Sequence, residues 1–294
     1  MVEYKRLTGE KVLEEFAVEN HEHSLLPKGK KWKLVWSDEF DGDKIDENKW
    51  SYRINFWGKP FPGYCDKGVT LDGKSNAVFK PVRMPDGRIC SSQLQTGTNV
   101  FDIPKDNFTG ELNMQNDNNF WHIGSIPKPT FMHRFGYYEC RCKLQKTNGW
   151  WSAFWLQTPS PGMSYNPEWS GVEVDIMESF GPRPDPGQLT CGNFYGGYGR
   201  DLKTDARKHW SVENVEEYHR FGLLWTENEY VIYCDGIEVS RTNKVVSKVE
   251  QFILLSTEIQ GYRRGDGKMH EPKAELSIDD EFIVDYVRVF DEVK

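Results

Sequence analysis

From Lys31 to the end of the chain, short runs recur in which apolar and polar residues alternate with a period of two. Each run is bounded by Gly, Pro, Asn or Asp. A period of two is the signature of a strand with one buried face, because successive side chains leave a pleated backbone on opposite sides. Lys33–Trp36, Gly136–Leu144, Ser152–Gln157, Val172–Glu178, Tyr230–Asp235 and Phe282–Phe290 all read this way. In YYECRCKL, Tyr138, Cys140, Cys142 and Leu144 share one face and Glu139, Arg141 and Lys143 the other. Within YVIYCDGIEVSR, Asp235-Gly236 is a hairpin-turn signal. Many short strands with turn punctuation and almost no long helical period predict an all-β fold, a β-sandwich. The 294 residues are long for one domain but within the range of such sandwiches. Residues 31–294 read as a single sandwich domain. Residues 1–30 read as an arm or short helix packed on it, with Val12, Phe16 and Val18 as its apolar contacts.

Composition excludes several classes of function. The formal net charge of −8 repels a phosphate backbone and argues mildly against a highly sulfated ligand. No stretch approaches the 18 or so apolar residues of a membrane-spanning helix. The first 30 residues lack the apolar core of an intact secretory signal, which leaves the compartment open. Cys65, Cys90, Cys140, Cys142, Cys191 and Cys234 form no CxxC pair and have no His at zinc-finger spacing. They read as small buried thiols rather than metal ligands. The 11 Trp and 13 Tyr are a rich supply of rings for stacking on flat ligand faces such as sugars, although most aromatics anywhere are core.

The chemistry-bearing segment is Gly171-Val-Glu-Val-Asp-Ile-Met-Glu-Ser-Phe180. On a regular strand Val172, Val174 and Ile176 enter the core, and Glu173 and Asp175 face out together. Glu178 lies five positions after Glu173, so a regular strand would turn it inward. One extra residue, a β-bulge near Ile176–Met177, restores it to the acidic face. Four regular steps of roughly 3.3 Å would set the Glu173 and Glu178 backbones about 13 Å apart. Side chains leaning together could approach the roughly 5–5.5 Å used in double displacement at a glycosidic carbon. Glu173 would then be the nucleophile and Glu178 the acid/base, with Asp175 between them. Three carboxylates in one row cannot all ionise freely, so at least one must hold its proton above the usual range. Taken alone, ExDxxE is more often just a solvated acidic strand face.

In its surroundings, EVDIME resembles the bulged ExDxxE signature of glycoside hydrolase family 16. LVWSDEFDGDKIDENKW (34–50), FGYYECRCKL (135–144), GWWSAFWLQ (149–157), EYHRFGLLWTENEYVIYCDGIEV (217–239) and VDYVRVF (284–290) are similar to further family segments, in the expected order. The resemblance implies a two-sheet jelly roll of the concanavalin A-like lectin/glucanase kind with a concave substrate cleft. It also implies retaining, endo-acting hydrolysis, with Glu173 as nucleophile, Glu178 as acid/base and Asp175 as the assisting acid. By the same resemblance Trp151 and Trp155 line the cleft, Trp151 being the better candidate for sugar stacking. Phe154 points to the core and Trp150 is left open. Where many family β-glucanases carry a His-rich strand, this chain has LTCGNFYGGY (189–198), and Asn193 is expected to take a polar cleft role. Trp57, Phe61 and Tyr64 of the Asn55–Asp66 loop could line an outer subsite or pack on the core, and His122 and Arg134 are further candidates. Some members of the family hold a structural calcium. Asp285 matches its ligand in the closing strand and Gly87 could offer a carbonyl, two of the six to eight oxygens calcium prefers. No cofactor is expected in catalysis.

The implied partner is a polysaccharide or oligosaccharide, bound by a monomer with no nucleic acid or membrane involved. β-1,3 or mixed β-1,3/1,4-glucan is the first reading. A β-galactan (agar, porphyran, carrageenan or a keratan-like chain) is the alternative. A sulfated galactan would want cationic side chains in the cleft, with Arg134, Arg183, Arg200, Arg263 and Arg264 as the candidates. A non-catalytic lectin-like sandwich and a transglycosylase are the remaining alternatives.

Overall fold

The computed structural model describes residues 4–103, 126–179, 187–259 and 276–293. Two large sheets face each other across one core. The first runs, in spatial order, through Lys5–Arg6, Lys203–Ser211, Gln188–Tyr195, Glu173–Ser179, Trp150–Gln157, Phe252–Ile259, Gln93–Gln95 and Ser51–Tyr52. The second runs through Ile237–Thr242, Tyr230–Cys234, His219–Trp225, Gly136–Lys143, Phe282–Val293, Ala77–Phe79 and Val69–Leu71, with Lys31–Asp38 also paired to Phe282–Val293. This is the expected all-β, two-sheet sandwich. Among the described residues, no helix is long and apolar enough to cross a membrane.

The period-two runs supply the core as read. Tyr138, Cys140, Cys142 and Leu144 enter it from one sheet, and Trp150, Phe154, Leu156, Val174 and Ile176 from the other. All six cysteines are buried free thiols. The Asp235-Gly236 turn closes a hairpin, with φ of 50° and 85°, as a primed turn requires.

The acidic strand carries the irregularity that positions the site. Against Trp150–Gln157, Phe154 pairs with Met177 and Trp155 with Asp175, which leaves Ile176 as the extra residue. Against Gln188–Tyr195, the register shifts between Asp175 and Glu178, which pair with Gly192 and Thr190. Ile176 and Met177 are adjacent in sequence, yet both are fully buried in the same core. A bulge gives up ladder regularity worth about one hydrogen bond, 0.5–1.5 kcal/mol. Ile176 would be buried on a regular strand too; what the bulge adds is Met177, whose burial contributes about 1.5–3 kcal/mol, so burial wins.

Within residues 4–30 the short helix that was one of the two expectations is absent, and the segment packs on the domain as strands. Leu13–Phe16 and Ser24–Pro27 form an antiparallel hairpin rather than a helix, and Lys5–Arg6 adds a parallel edge strand to the first sheet. Leu13 and Leu26 are the buried contacts, and Phe16 packs edge-on against Phe290. Val12 is exposed. The hairpin covers the outer face of the second sheet, which holds buried charge. Glu139 accepts from the Leu25 amide and the Tyr286 hydroxyl, each at 2.8 Å. Arg288, fully buried, forms a two-pronged pair with Glu39 at 3.0 and 2.7 Å and donates to the Glu22 carbonyl and Ser24 Oγ. A buried guanidinium stripped of its carboxylate has no water to turn to. Glu39→Gln is therefore expected to destabilise the fold by about 3–5 kcal/mol, read from the midpoint and slope of a denaturant titration.

Candidate active site

The concave face of the first sheet carries a cleft of about 360 Å³. Its floor is built by alternation. Trp151, Ala153 and Trp155 come from one strand, Ser256 and Glu258 from the next, and Gln93 from the one beyond. Glu173, Asp175 and Glu178 all line it, so the bulge brings the third acid to the face of the other two. Glu178 stands beside Ala153, whose methyl leaves the carboxylate room, and accepts from Thr190 Oγ1 at 3.2 Å. Gln157 donates from Nε2 to Glu173 Oε2 at 2.6 Å, while its Oε1 accepts from the Thr158 amide at 2.8 Å, which fixes how the amide is turned. The Tyr198 hydroxyl donates to the same Glu173 oxygen.

Asp175 sits between the glutamates and is buried. Burial, then the charges of Glu178 and Glu173, push its carboxyl well above the usual carboxylate range, with Arg207 opposing. Asp175 therefore holds a proton where an exposed carboxyl would have lost it.

One wall comes from chain N-terminal to the acidic strand. Arg53 pairs with Asp102 at 2.6 Å and lies over the rings of Phe56 and Trp155. Trp57 is half exposed, with its amide held by Asp102 Oδ1 at 3.1 Å and its ring against Phe101 and Tyr198. Trp155 also donates its indole N–H to Ser256 Oγ at 2.9 Å.

Of the residues singled out in the sequence, Glu173, Asp175, Glu178, Trp151, Trp155 and Trp57 meet in this cleft. Others do not. Asn193 pairs in register with Val174 and so shares its core-facing side; it is buried, and neither polar atom of its side chain has a hydrogen-bond partner. Arg134 donates to the Lys248 carbonyl and lies over Phe135, away from the cleft. The left-handed Phe135 and Gly136 turn the chain there into the second sheet. Arg200 is exposed beside Asp201. Trp150 is core, its indole donating to Asp280 at 3.0 Å. Phe61 packs on the core, and Tyr64 is buried behind the cleft, donating to Glu258 at 2.7 Å. His122, Arg183, Arg263 and Arg264 lie outside the described residues.

The two calcium candidates do not fit that ion. Asp285 is ion-paired with Arg141, whose guanidinium a divalent ion would have to displace, and the Gly87 carbonyl accepts from Arg83. Among the described residues, no three His, Cys, Asp or Glu side chains converge as metal ligands.

Arg53, Asp102, Gln157, Tyr198 and Glu258 were missed. No local motif marks Arg53, Asp102 and Glu258, which long-range pairing brings to the cleft, whereas Gln157 lies two positions after Trp155 on the same strand and reaches Glu173 from there. For Tyr198 a signal existed in the Gly196-Gly197-Tyr198-Gly199 run, since all three glycines take positive φ and shape a loop that points one ring inward.

A lectin-like jelly roll with a bulged row of three acids in an aromatic cleft is the architecture of a carbohydrate-active protein. The profile of Glycosyl hydrolases family 16 matches residues 92–260, and the chain belongs to that family. It is 28% identical over 275 residues to the endo-1,3-1,4-beta-glycanase EglC of Rhizobium meliloti, covering 87% of this chain and 51% of that protein. It is 27% identical to a glucan endo-1,3-beta-glucosidase of Cryptopygus antarcticus, covering 66% and 63%, and 28% identical to a beta-porphyranase B of Zobellia galactanivorans, covering 70% and 66%. The chain thus spans only about half the length of EglC. The laminarinase catalytic domain from Thermotoga maritima shares the fold, with a TM-score of 0.63 and 21% identity over 90% of this chain and all of that one.

Asn193→Val removes a buried amide without partners and is expected to raise Tm by about 2–4 °C in calorimetry; a lower Tm would show that the amide is satisfied. Asp175 binds its proton more tightly folded than unfolded, so its contribution to stability falls as pH rises from the ordinary carboxylate value of about 4 toward its folded pKa. Asp175→Asn mimics the protonated form and escapes that loss. The Tm of wild type should therefore fall relative to the variant as pH is raised from about 4 to about 8.

Proposed function

We propose that the chain is a retaining endo-glycanase that cleaves internal β-linkages of a polysaccharide, with β-1,3- or mixed β-1,3/1,4-glucan as the substrate. The observation that carries this reading is the placement of Glu173, Asp175 and Glu178 on one cleft face by the bulge at Ile176. Glu173 attacks the anomeric carbon while Glu178 gives its proton to the departing oxygen, breaking the glycosidic bond and leaving a glycosyl ester on Glu173. Water then gives a proton to Glu178 and attacks the same carbon, which frees Glu173. Asp175, holding a proton between them, keeps the row from carrying three charges. Every group in this scheme comes from one chain, so the reading requires no second subunit.

A neutral glucan suits the charge of the site. Among the described residues lining the cleft, Arg53 is the only cation, and it is paired with Asp102. Five carboxyl groups, Asp102, Glu173, Asp175, Glu178 and Glu258, line the same space, and with Asp175 and Glu178 protonated the other three still outnumber Arg53. A sulfated galactan would meet net negative potential there. The relative named a glucan endo-1,3-beta-glucosidase points the same way.

The test is a panel of laminarin, lichenan, agarose, porphyran, κ-carrageenan and keratan sulfate, with products sized by chromatography. Laminarin or lichenan should yield a ladder of oligosaccharides, and Glu173→Gln should lower kcat by at least about 10³-fold while leaving binding intact. Turnover of porphyran alone would move the assignment to galactans. Unchanged binding with no turnover of any polymer by wild type would leave a lectin.

A further inference from the structure

We infer that Tyr198 is a positioning residue for the reaction, its phenol fixing the carboxylate of Glu173 for attack and linking it to the aromatic wall at Trp57. This rests on the assignment of Glu173 as nucleophile.

Three groups meet at one point. Tyr198 donates to Glu173 Oε2, Gln157 Nε2 donates to the same oxygen at 2.6 Å, and Gln157 Nε2 also lies 2.5 Å from the Tyr198 hydroxyl. The phenol therefore gives its single proton to the carboxylate and accepts from the amide, so its rotor has one direction. Burial and the charge of Glu173 push the Tyr198 hydroxyl well above its ordinary range, so it remains a donor throughout the working pH range.

The loop that delivers Tyr198 is built for that placement. Gly196, Gly197 and Gly199 have φ of 83°, 103° and 71°. Gly162 packs so closely on Gly197 that a Cβ there would lie 2.8 Å from the Gly197 Cα. The ring meets Trp57 edge-on, with centroids 5.2 Å apart. Trp57 in turn hangs from Asp102. One connected set of contacts thus runs from the exposed aromatic wall to the attacking oxygens.

A hydrogen bond to a carboxylate favours its ionised form, the form that attacks. Among the described residues, the titratable and charged groups lining the cleft with Glu173 are Asp175 and Glu178 on its own strand, Glu258 on the floor, Arg53 and Asp102 on the wall, and Tyr198 itself. Removing the phenolic hydroxyl leaves these charged groups in place, so a raised Glu173 midpoint reports the loss of the hydrogen-bonding that the Tyr198 hydroxyl organises with Gln157.

The experiment is Tyr198→Phe, which keeps the ring against Trp57. The expected result is a fall in kcat/KM of about 10- to 100-fold, the size of one hydrogen bond to a charged group. The acid limb of the kcat/KM profile should also move to higher pH. In parallel, glutamate side-chain carboxyls are followed by ¹³C NMR across pH, with the Glu173 signal identified by its loss in Glu173→Gln. Its midpoint should be higher in Tyr198→Phe than in wild type. An unmoved midpoint, or kcat/KM within about twofold of wild type with an unmoved acid limb, overturns the inference. If wild type hydrolyses no polysaccharide, the catalytic reading falls, and the NMR titration still decides whether Tyr198 holds the carboxylate.

Discussion

One extra residue in one strand decides what the concave face can do. Ile176 has no partner on the Trp150–Gln157 strand, and its insertion turns Glu178 from the core to the cleft. The same insertion lets Ile176 and Met177 enter the core side by side. Apolar burial thus holds in place an irregularity that the chemistry needs, so the site is anchored by the fold's largest favourable term. With the acids gathered, electrostatics follow. Asp175 is buried between two glutamates and holds its proton, which makes the crowded row tolerable.

The wall opposite is organised around a different group. Asp102 accepts from Arg53 Nε at 2.6 Å, from the Trp57 amide at 3.1 Å and from Asn99 Nδ2 at 3.3 Å. Trp57 has φ of 54°, a left-handed backbone that costs a bulky residue about 1–2 kcal/mol. A hydrogen bond to a charged acceptor contributes about 1.5–3 kcal/mol, enough to hold it there. The same pairing neutralises the one cation lining the described cleft, so a single carboxylate both shapes the aromatic wall and removes a binding group for anionic sugars.

The strands, the core face of each, and the bulge were legible because they depend on local alternation; the spacing of Glu173 and Glu178 demanded an insertion. Trp151 and Trp155 were placed in the cleft by the resemblance to family 16, and the alternation along their strand agrees with it. What was not legible depends on which strand lies beside which. Asn193 was expected in the cleft, but its partner is Val174, and register sends it inward. Arg134 travels with the second sheet, whereas Arg53, unremarkable in sequence, is brought to the cleft by the pairing of residues 51–52 with 94–95. The N-terminal segment was read as an arm or helix because its charges hid the strand period. Glu139 and Arg288 beneath it show why it forms a hairpin, since buried charge on that face needs a polar backbone and the Glu39 carboxylate as cover.

The central claim, that two glutamates on a bulged strand act by double displacement, has a stereochemical consequence. ¹H NMR of the first products released from a β-linked glucan should show the β-anomer of the new reducing end, with the α-anomer appearing only as mutarotation proceeds. The α-anomer appearing first would mean direct attack by water across a wider carboxylate gap, and would contradict the roles given to Glu173 and Glu178.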